Sequence, residues 1–306
     1  MSASSRSACP SRGWLLAAVT MTIVAAAHAA RAEPCDLRLV RDPVPVRIDY
    51  DPFAFSRLPG HLDLDLVNAG DGRCDLELRL MDIDGQPLRA LDLGGVTLDI
   101  RLREGGAAGA TRLDPNRFTL SVPAGAPVTL ALALLATADT VAEAGEHHAA
   151  FRAEISPVGS DPMVLIGPID VVLSSPPRAQ LSIAGAAGAF GSTSSVEVID
   201  FGEARTGAVK RAFLQIRANT QSRLTFVSEH SGTMRRLGAT GDEPGIEYRV
   251  ILQGEPLDLR QQAVRSVDPP RTLQGQSLSL DFELDSTLAR KSGRYEDLLM
   301  IDIDPN

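Results

Sequence analysis

Apolar and polar positions alternate with a period of two along nearly the whole chain. In the first half, Leu62/Leu64/Leu66, Cys74/Leu76/Leu78/Leu80 and Val96/Leu98/Ile100/Leu102 each line one face of an extended segment. Phe118/Leu120/Val122 and Val128/Leu130/Leu132/Leu134 continue the series. The second half repeats the rhythm at Leu214/Ile216, Leu224/Phe226, Ile246/Tyr248/Val250/Leu252 and Leu278/Leu280/Phe282/Leu284. Successive side chains of a strand point to opposite faces, so this pattern predicts strands with one buried face. Turn-forming clusters separate the runs, as at Asn68-Ala69-Gly70-Asp71-Gly72, Asp84-Gly85, Gly105-Gly106 and Gly241-Asp242-Glu243-Pro244-Gly245. Short strands, frequent turns and no convincing long helix predict an all-β fold of immunoglobulin-like antiparallel sandwiches.

The two halves also match in order. Ile48-Asp49-Tyr50 precedes a strand ending near Asn68, and Ile199-Asp200-Phe201 precedes one ending near Asn219. Ala144–Ile155 and Ser292–Ile303 read as two copies of one later element. A repeat of this length predicts one sandwich per copy. The domains expected are 33–175 and 176–306, joined at Ser175-Pro176-Pro177, where two prolines stiffen the connection. The Gly- and Ala-rich stretch Ala184–Gly191 is expected to be a loop within the second domain.

One difference between the copies carries the functional expectation. The first copy of the late element is followed by another apolar strand, near Val164–Ser174, whereas the second is followed only by Asp304-Pro305-Asn306. The second sandwich is therefore expected to lack its final strand, leaving Tyr295, Leu299, Ile301 and Ile303 along an unpaired edge. Leu298, Leu299, Met300 and Ile301 make that segment apolar on both faces, as suits a strand buried between neighbours. Natural proteins normally cover or blunt such an edge. The rival expectation is a complete sandwich with one strand fewer.

The N-terminus reads as a secretory leader over 1–32. Arg6 and Arg12 flank an apolar run from Trp14 to Ala27, and Ala30-Arg31-Ala32 offers a small-x-small cleavage site. No later stretch reaches spanning length, so no membrane span is expected. The chain holds 30 basic and 39 acidic residues, net −9, and the leader contains three of the arginines and no acid. An acidic exported chain is a poor candidate for nucleic acid. Past the leader only Cys35 and Cys74 remain. In an oxidising compartment they form either a disulfide, the simpler reading, or two buried thiols.

Several residues resemble a known group, the spore coat U-type proteins and the subunits of archaic chaperone–usher pili. The resemblance rests on Cys35-Asp36-Leu37, on Cys74 after the Asn68 turn, and on Ile199-Asp200-Phe201-Gly202-Glu203-Ala204-Arg205-Thr206-Gly207. Ser292-Gly293-Arg294-Tyr295-Glu296-Asp297-Leu298 is its most characteristic piece. It implies an incomplete immunoglobulin-like fold, a periplasmic chaperone, an outer-membrane usher and an adjacent pilus subunit as partners. It also implies export to the cell surface and a role in adhesion and biofilm formation. Two-domain members of the group resemble tip adhesins, and a chain that reaches its first strand almost at once has no segment to donate, as expected at a tip. Domain two departs from the pattern in having no cysteine.

Other chemistry is weaker. His147-His148 lie on one strand and point to opposite faces, which does not suit one metal. His61 and His230 are expected on the surface. Asp82-Ile83-Asp84-Gly85 suits a hairpin turn better than a calcium loop, and Asp49 and Asp51 suit turns. No Gly-x-Ser-x-Gly elbow or assembled Ser/His/Asp set is present, so the chain is expected to be no enzyme and to use no cofactor. Phe53 and Phe55, with the Gly105–Ala110 and Ala138–Gly145 loops, are the candidate attachment loops, the alternative for the two phenylalanines being packing against the sandwich end. The alternatives are a coat or matrix protein assembled without an usher, a periplasmic pilus chaperone, and a secreted hydrolase or sugar-binding module.

Overall fold

The computed structural model describes residues 35–54, 59–106, 109–137, 141–162, 164–183, 196–239 and 243–306. The expected leader, Phe55, the Ala184–Gly191 loop and parts of the Gly105–Ala110 and Ala138–Gly145 loops lie outside them. Among the described residues no helix is long and apolar enough to cross a membrane.

The first half forms β1 (Leu37–Leu39), β2 (Val46–Asp49), β3 (Gly60–Asn68), β4 (Cys74–Met81), β5 (Leu91–Leu93) and β6 (Val96–Leu102). It continues with β7 (Thr111–Asp114), β8 (Arg117–Val122), β9 (Pro127–Ala136), β10 (Gly145–Pro157) and β11 (Val164–Ser175). Two sheets result, in the orders β1-β3-β9-β6-β5 and β2-β11-β10-β4-β8-β7. All pairs are antiparallel except β2 with β11. The alternating residues seen in the sequence meet between the sheets: Leu64, Leu66, Leu78, Phe118, Leu132, Phe151 and Leu173 are all buried. Each such side chain contributes roughly 1.5–3 kcal/mol by leaving water. Cys35 and Cys74 are disulfide-bonded, with Cα atoms 5.8 Å apart. The bridge joins the lead-in to β1 in one sheet to the start of β4 in the other.

The second half forms β12 (Ala179–Ile183), β13 (Val209–Ala218), β14 (Ser222–Ser228), β15 (Thr233–Arg236) and β16 (Ile246–Leu252). It ends with β17 (Glu255–Leu257), β18 (Ala263–Val267), β19 (Gln276–Leu284), β20 (Tyr295–Glu296) and β21 (Leu299–Pro305). One sheet runs β12-β13-β19-β16-β15-β20, with β17 also paired to β16, and the other has three strands, β18-β14-β21. A separate core lies between them, built on Leu214, Ile216, Leu224, Phe226, Val250 and Leu280. The single element expected over Ser292–Ile303 is in fact two strands. The chain leaves β20 in one sheet and enters β21 in the other, with Asp297 and Leu298 at the crossing.

Asparagine ends the matching strands of both halves, as the repeat predicts, but the two do different things. Asn68 closes its own turn, donating to the Gly72 carbonyl at 2.6 Å and accepting from the Gly70 amide at 3.0 Å. Asn219 instead holds the connection. Its side chain donates to Ser175 Oγ at 3.0 Å and the Pro176 carbonyl at 2.9 Å, and it accepts from the Arg178 amide at 2.7 Å. The Ala144 amide reaches the Asn219 carbonyl from the first half at 3.0 Å.

Candidate functional site

Register establishes which residues of the two sandwiches correspond. Ala153 pairs with Leu80 and Ile155 with Leu78 in the first, and Ile301 pairs with Phe226 and Ile303 with Leu224 in the second. Thus β21 stands where the second part of β10 stands, β14 where β4 does, and β18 where β8 does. Phe151, Ala153 and Ile155 have Leu299, Ile301 and Ile303 as counterparts.

Beyond that point the sandwiches differ. In the first, the far edge of β10 is covered by β11 and the far edge of β11 by β2. In the second, β21 pairs with β14 on one side and has no other strand partner among the described residues. Ile199-Asp200-Phe201, the counterpart of Ile48-Asp49-Tyr50, belongs to no strand. Among the described residues its backbone has no strand partner.

Burial follows the topology. Phe151, Ala153 and Ile155 are fully buried, whereas Leu299, Ile301 and Ile303 are only partly so, although they pack against the second core. Tyr50 and Ile48 are buried, while Ile199 and Phe201 are half-covered and Val196 and Val198 are 79% and 74% exposed. Leu298 and Met300 are 53% and 52% exposed. Among the described residues this segment is therefore an apolar edge, not a strand covered on both sides. Tyr295 is separated from the other three predicted edge residues. It lies on β20, paired with Arg236 in the opposite sheet, and its hydroxyl donates to the Lys291 carbonyl at 2.8 Å.

The crossing between β20 and β21 is held by a carboxylate that sequence patterning did not single out. The Asp297 side chain is 2% exposed. It accepts hydrogen bonds from the Ser228 hydroxyl at 2.6 Å, the Tyr248 phenol at 2.6 Å and the His230 amide at 3.0 Å. His230 Nδ1 also lies 3.0 Å from it. Ser228 Oγ in turn accepts from the Gly232 amide at 2.7 Å. The expectation that His230 sits isolated on the surface is thus overturned: it is half-buried against a carboxylate. Burial, then the hydrogen bond to Asp297, pushes the Tyr248 phenol well above its usual range, so it stays a donor. Glu229, His230 and Asp297 offer ligand atoms within 4.8 Å of one another, near enough for one cation. The Asp297 oxygens are already occupied by donors, which suits a structural anchor that keeps β21 registered on β14.

The remaining candidates have ordinary roles. Phe53 is half-buried beneath the Arg217 guanidinium, 5.0 Å from the ring centre, and its amide donates to Asp51 Oδ1 at 3.0 Å. Asp82 Oδ1 accepts from the Asp84 and Gln86 amides, closing the expected turn. His61 is exposed. His147 and His148 both lie on β10, with His147 Nε2 2.9 Å from the Glu143 carbonyl.

No protein-family model matches the sequence, and no curated protein sequence does. Among solved structures, the chain is similar to the adhesive subunit CfaE of CFA/I fimbria from enterotoxigenic Escherichia coli (TM-score 0.40, 9% identity, 89% of this chain and 81% of that one). It is also similar to a chain of the CsuC–CsuE chaperone–tip adhesion subunit complex from archaic Csu pili of Acinetobacter baumannii (TM-score 0.38, 10% identity, 76% and 84%). The CupB6 tip adhesin of Pseudomonas aeruginosa matches at a TM-score of 0.34 and 13% identity, over 88% of this chain and 93% of that one. Likenesses at these scores carry no functional argument.

Proposed function

We propose that the chain is a structural, adhesive subunit of a chaperone–usher-type surface fibre, placed at its tip. The second sandwich accepts a strand from a neighbouring subunit, or from a periplasmic chaperone before assembly, alongside β21. The observation that carries this reading is the contrast at one register position. The first sandwich closes β10 with β11 and β2, while in the second no strand among the described residues lies between β21 and the segment through Ile199. An inserted strand would pair with the free backbone of β21 and cover Leu299, Ile301 and Ile303, which is recognition by strand addition. The first sandwich carries its own closing strand, β11, at that position, which supports a separate binding task for it. Its loops, including the one bearing Phe53 and Phe55, would meet the surface or receptor that promotes attachment and biofilm formation.

Calorimetry of the full chain tests this. Titration with strands of alternating aliphatic residues should stabilise the second core, by roughly 1.5–3 kcal/mol for each side chain fully buried. A chain whose unfolding is indifferent to every such strand is a complete protein of another kind, such as a coat or matrix component. Replacing Phe53 and Phe55 with Ser should reduce surface attachment by the intact fibre; unchanged attachment with the fold intact would remove that loop from the account.

A further inference from the structure

The open edge carries a charge pattern as well as an apolar one. On β21 the residues turned away from the core are Met300, Asp302 and Asp304, all exposed, with Leu298 exposed just before the strand. Asp302 stands opposite Thr225 and Asp304 opposite Arg223 across the β14 pairing. Neither aspartate forms an ion pair or a side-chain hydrogen bond among the described residues, and Arg223 forms none with Asp304. The matching positions of the closed sandwich are Glu154 and Ser156, and there β11 sets Leu165 beside Glu154. One acid is thus shared with the repeat, Glu154 matching Asp302, and the second, Asp304, is particular to the open edge.

We propose that the strand completing the second sandwich is basic at the outward positions beside Asp302 and Asp304 and runs antiparallel to β21. This rests on the acceptor reading above and specifies the partner. Direction follows from β11, which runs antiparallel to β10 at the equivalent edge. Residues directly opposite each other across an antiparallel pair share a face and come close, so like charges there oppose pairing and opposite charges favour it. In this direction the partner's N-terminal part meets Asp304 and Asp302, and its C-terminal part meets Met300 and Leu298. Its outward face should therefore read basic, basic, then apolar. Between these positions, aliphatic residues turn inward beside Ile303, Ile301 and Leu299. The rival role of the aspartates is to repel stray strands from an unprotected edge. Both roles penalise an acidic strand, but only the first rewards a basic one.

The test is isothermal titration of the full chain with synthetic strands that share inward Val and Ile. They differ only at the two outward positions, which carry Lys, Ser or Asp. At low salt the Lys strand should bind about 3–10-fold more tightly than the Ser strand, with the Asp strand weakest, as expected for exposed pairs. The spread should collapse near 1 M salt, where screening is short-ranged. It should also collapse in an Asp302→Asn, Asp304→Asn double variant. Equal binding of all three strands overturns the charge inference and leaves the acceptor edge standing. Equal binding of the Lys strand and its sequence-reversed version overturns the antiparallel assignment. Absence of binding by any strand overturns the acceptor reading itself.

Discussion

Ile155 and Ile303 are the same residue at the same register position of two related sandwiches, and their surroundings differ. Ile155 is fully buried and Ile303 only partly. The strands bearing them have similar inward faces and pair with equivalent neighbours, β4 and β14. What separates them is the next two strands of the sheet. Burial at this position is thus supplied by topology, through β11 and β2, and not by the strand's own sequence. On the proposed function, this half-covered apolar face is the one the partner strand covers.

The sharpest way to break the comparison is to truncate both isoleucines. Ile155→Ala should destabilise the first core by about 2–5 kcal/mol, and Ile303→Ala the second by about half as much, because less surface is buried. Saturation with a completing strand should raise the Ile303 cost toward that of Ile155. Equal costs in the free chain would mean that β21 is already closed.

Next in size is the anchor at the crossing. Asp297→Ala strands the Tyr248 phenol, the Ser228 hydroxyl and the His230 amide, and should cost about 2–3 kcal/mol. The position aligned with Asp297 on β10 is Ala149, so no equivalent loss is available in the first half. Faster amide exchange across β21, with β10 unchanged, is the accompanying signature.

Asn219→Ala should have a smaller effect, about 1–2 kcal/mol, from the donors and acceptors left at the connection. Its distinguishing readout is looser coupling of the two halves by small-angle scattering, which Asn68→Ala should not produce. If both substitutions behave alike, Asn219 is only a turn residue.

The least costly comparison is by pH. Hydrogen bonds from Arg117, then Arg79, hold the buried Glu77 carboxyl below its ordinary value of 4.5. A depressed carboxyl contributes stability above its unfolded value and loses it as pH falls, so acid below about 4.5 should weaken the first core through Glu77. Tyr248 has the opposite sign. Its raised phenol contributes fully below the ordinary value of 10.0 and loses its contribution as pH rises beyond that, in the second core. Acid and alkaline unfolding followed by core-specific exchange should therefore begin in different halves, and Glu77→Gln should blunt only the acid limb.

Much of this was legible in the sequence, for a physical reason. Half-buried strands must alternate, so β3, β4, β6, β8, β9, β14, β16 and β19 announce themselves through apolar residues, aliphatic and aromatic, at every second position. The short strands do not. β15 is Thr-Met-Arg-Arg and β7 is Thr-Arg-Leu-Asp; neither has an alternating apolar face, and both form because a neighbour offers a ladder. The break between β20 and β21 was hidden because Tyr295, Leu299, Ile301 and Ile303 keep one period-two face through it. It sent Tyr295 to the opposite sheet from Leu299. The Asp297 anchor was hidden by distance along the chain, since its partners Tyr248 and Ser228 are 49 and 69 residues away. For Phe53, packing against the sandwich end and a free loop position were both open, and its cover, Arg217, comes from the other half.

The central claim is that β21 is an edge awaiting a strand, and hydrogen–deuterium exchange on the full chain tests it most directly. The amides of β21 and of the segment through Ile199 should exchange faster than those of β10 and β2 in the free protein. They should become protected when an alternating aliphatic strand is added, while the first sandwich stays unchanged. Protection of β21 equal to that of β10 before any strand is added, with no change afterwards, would contradict the account.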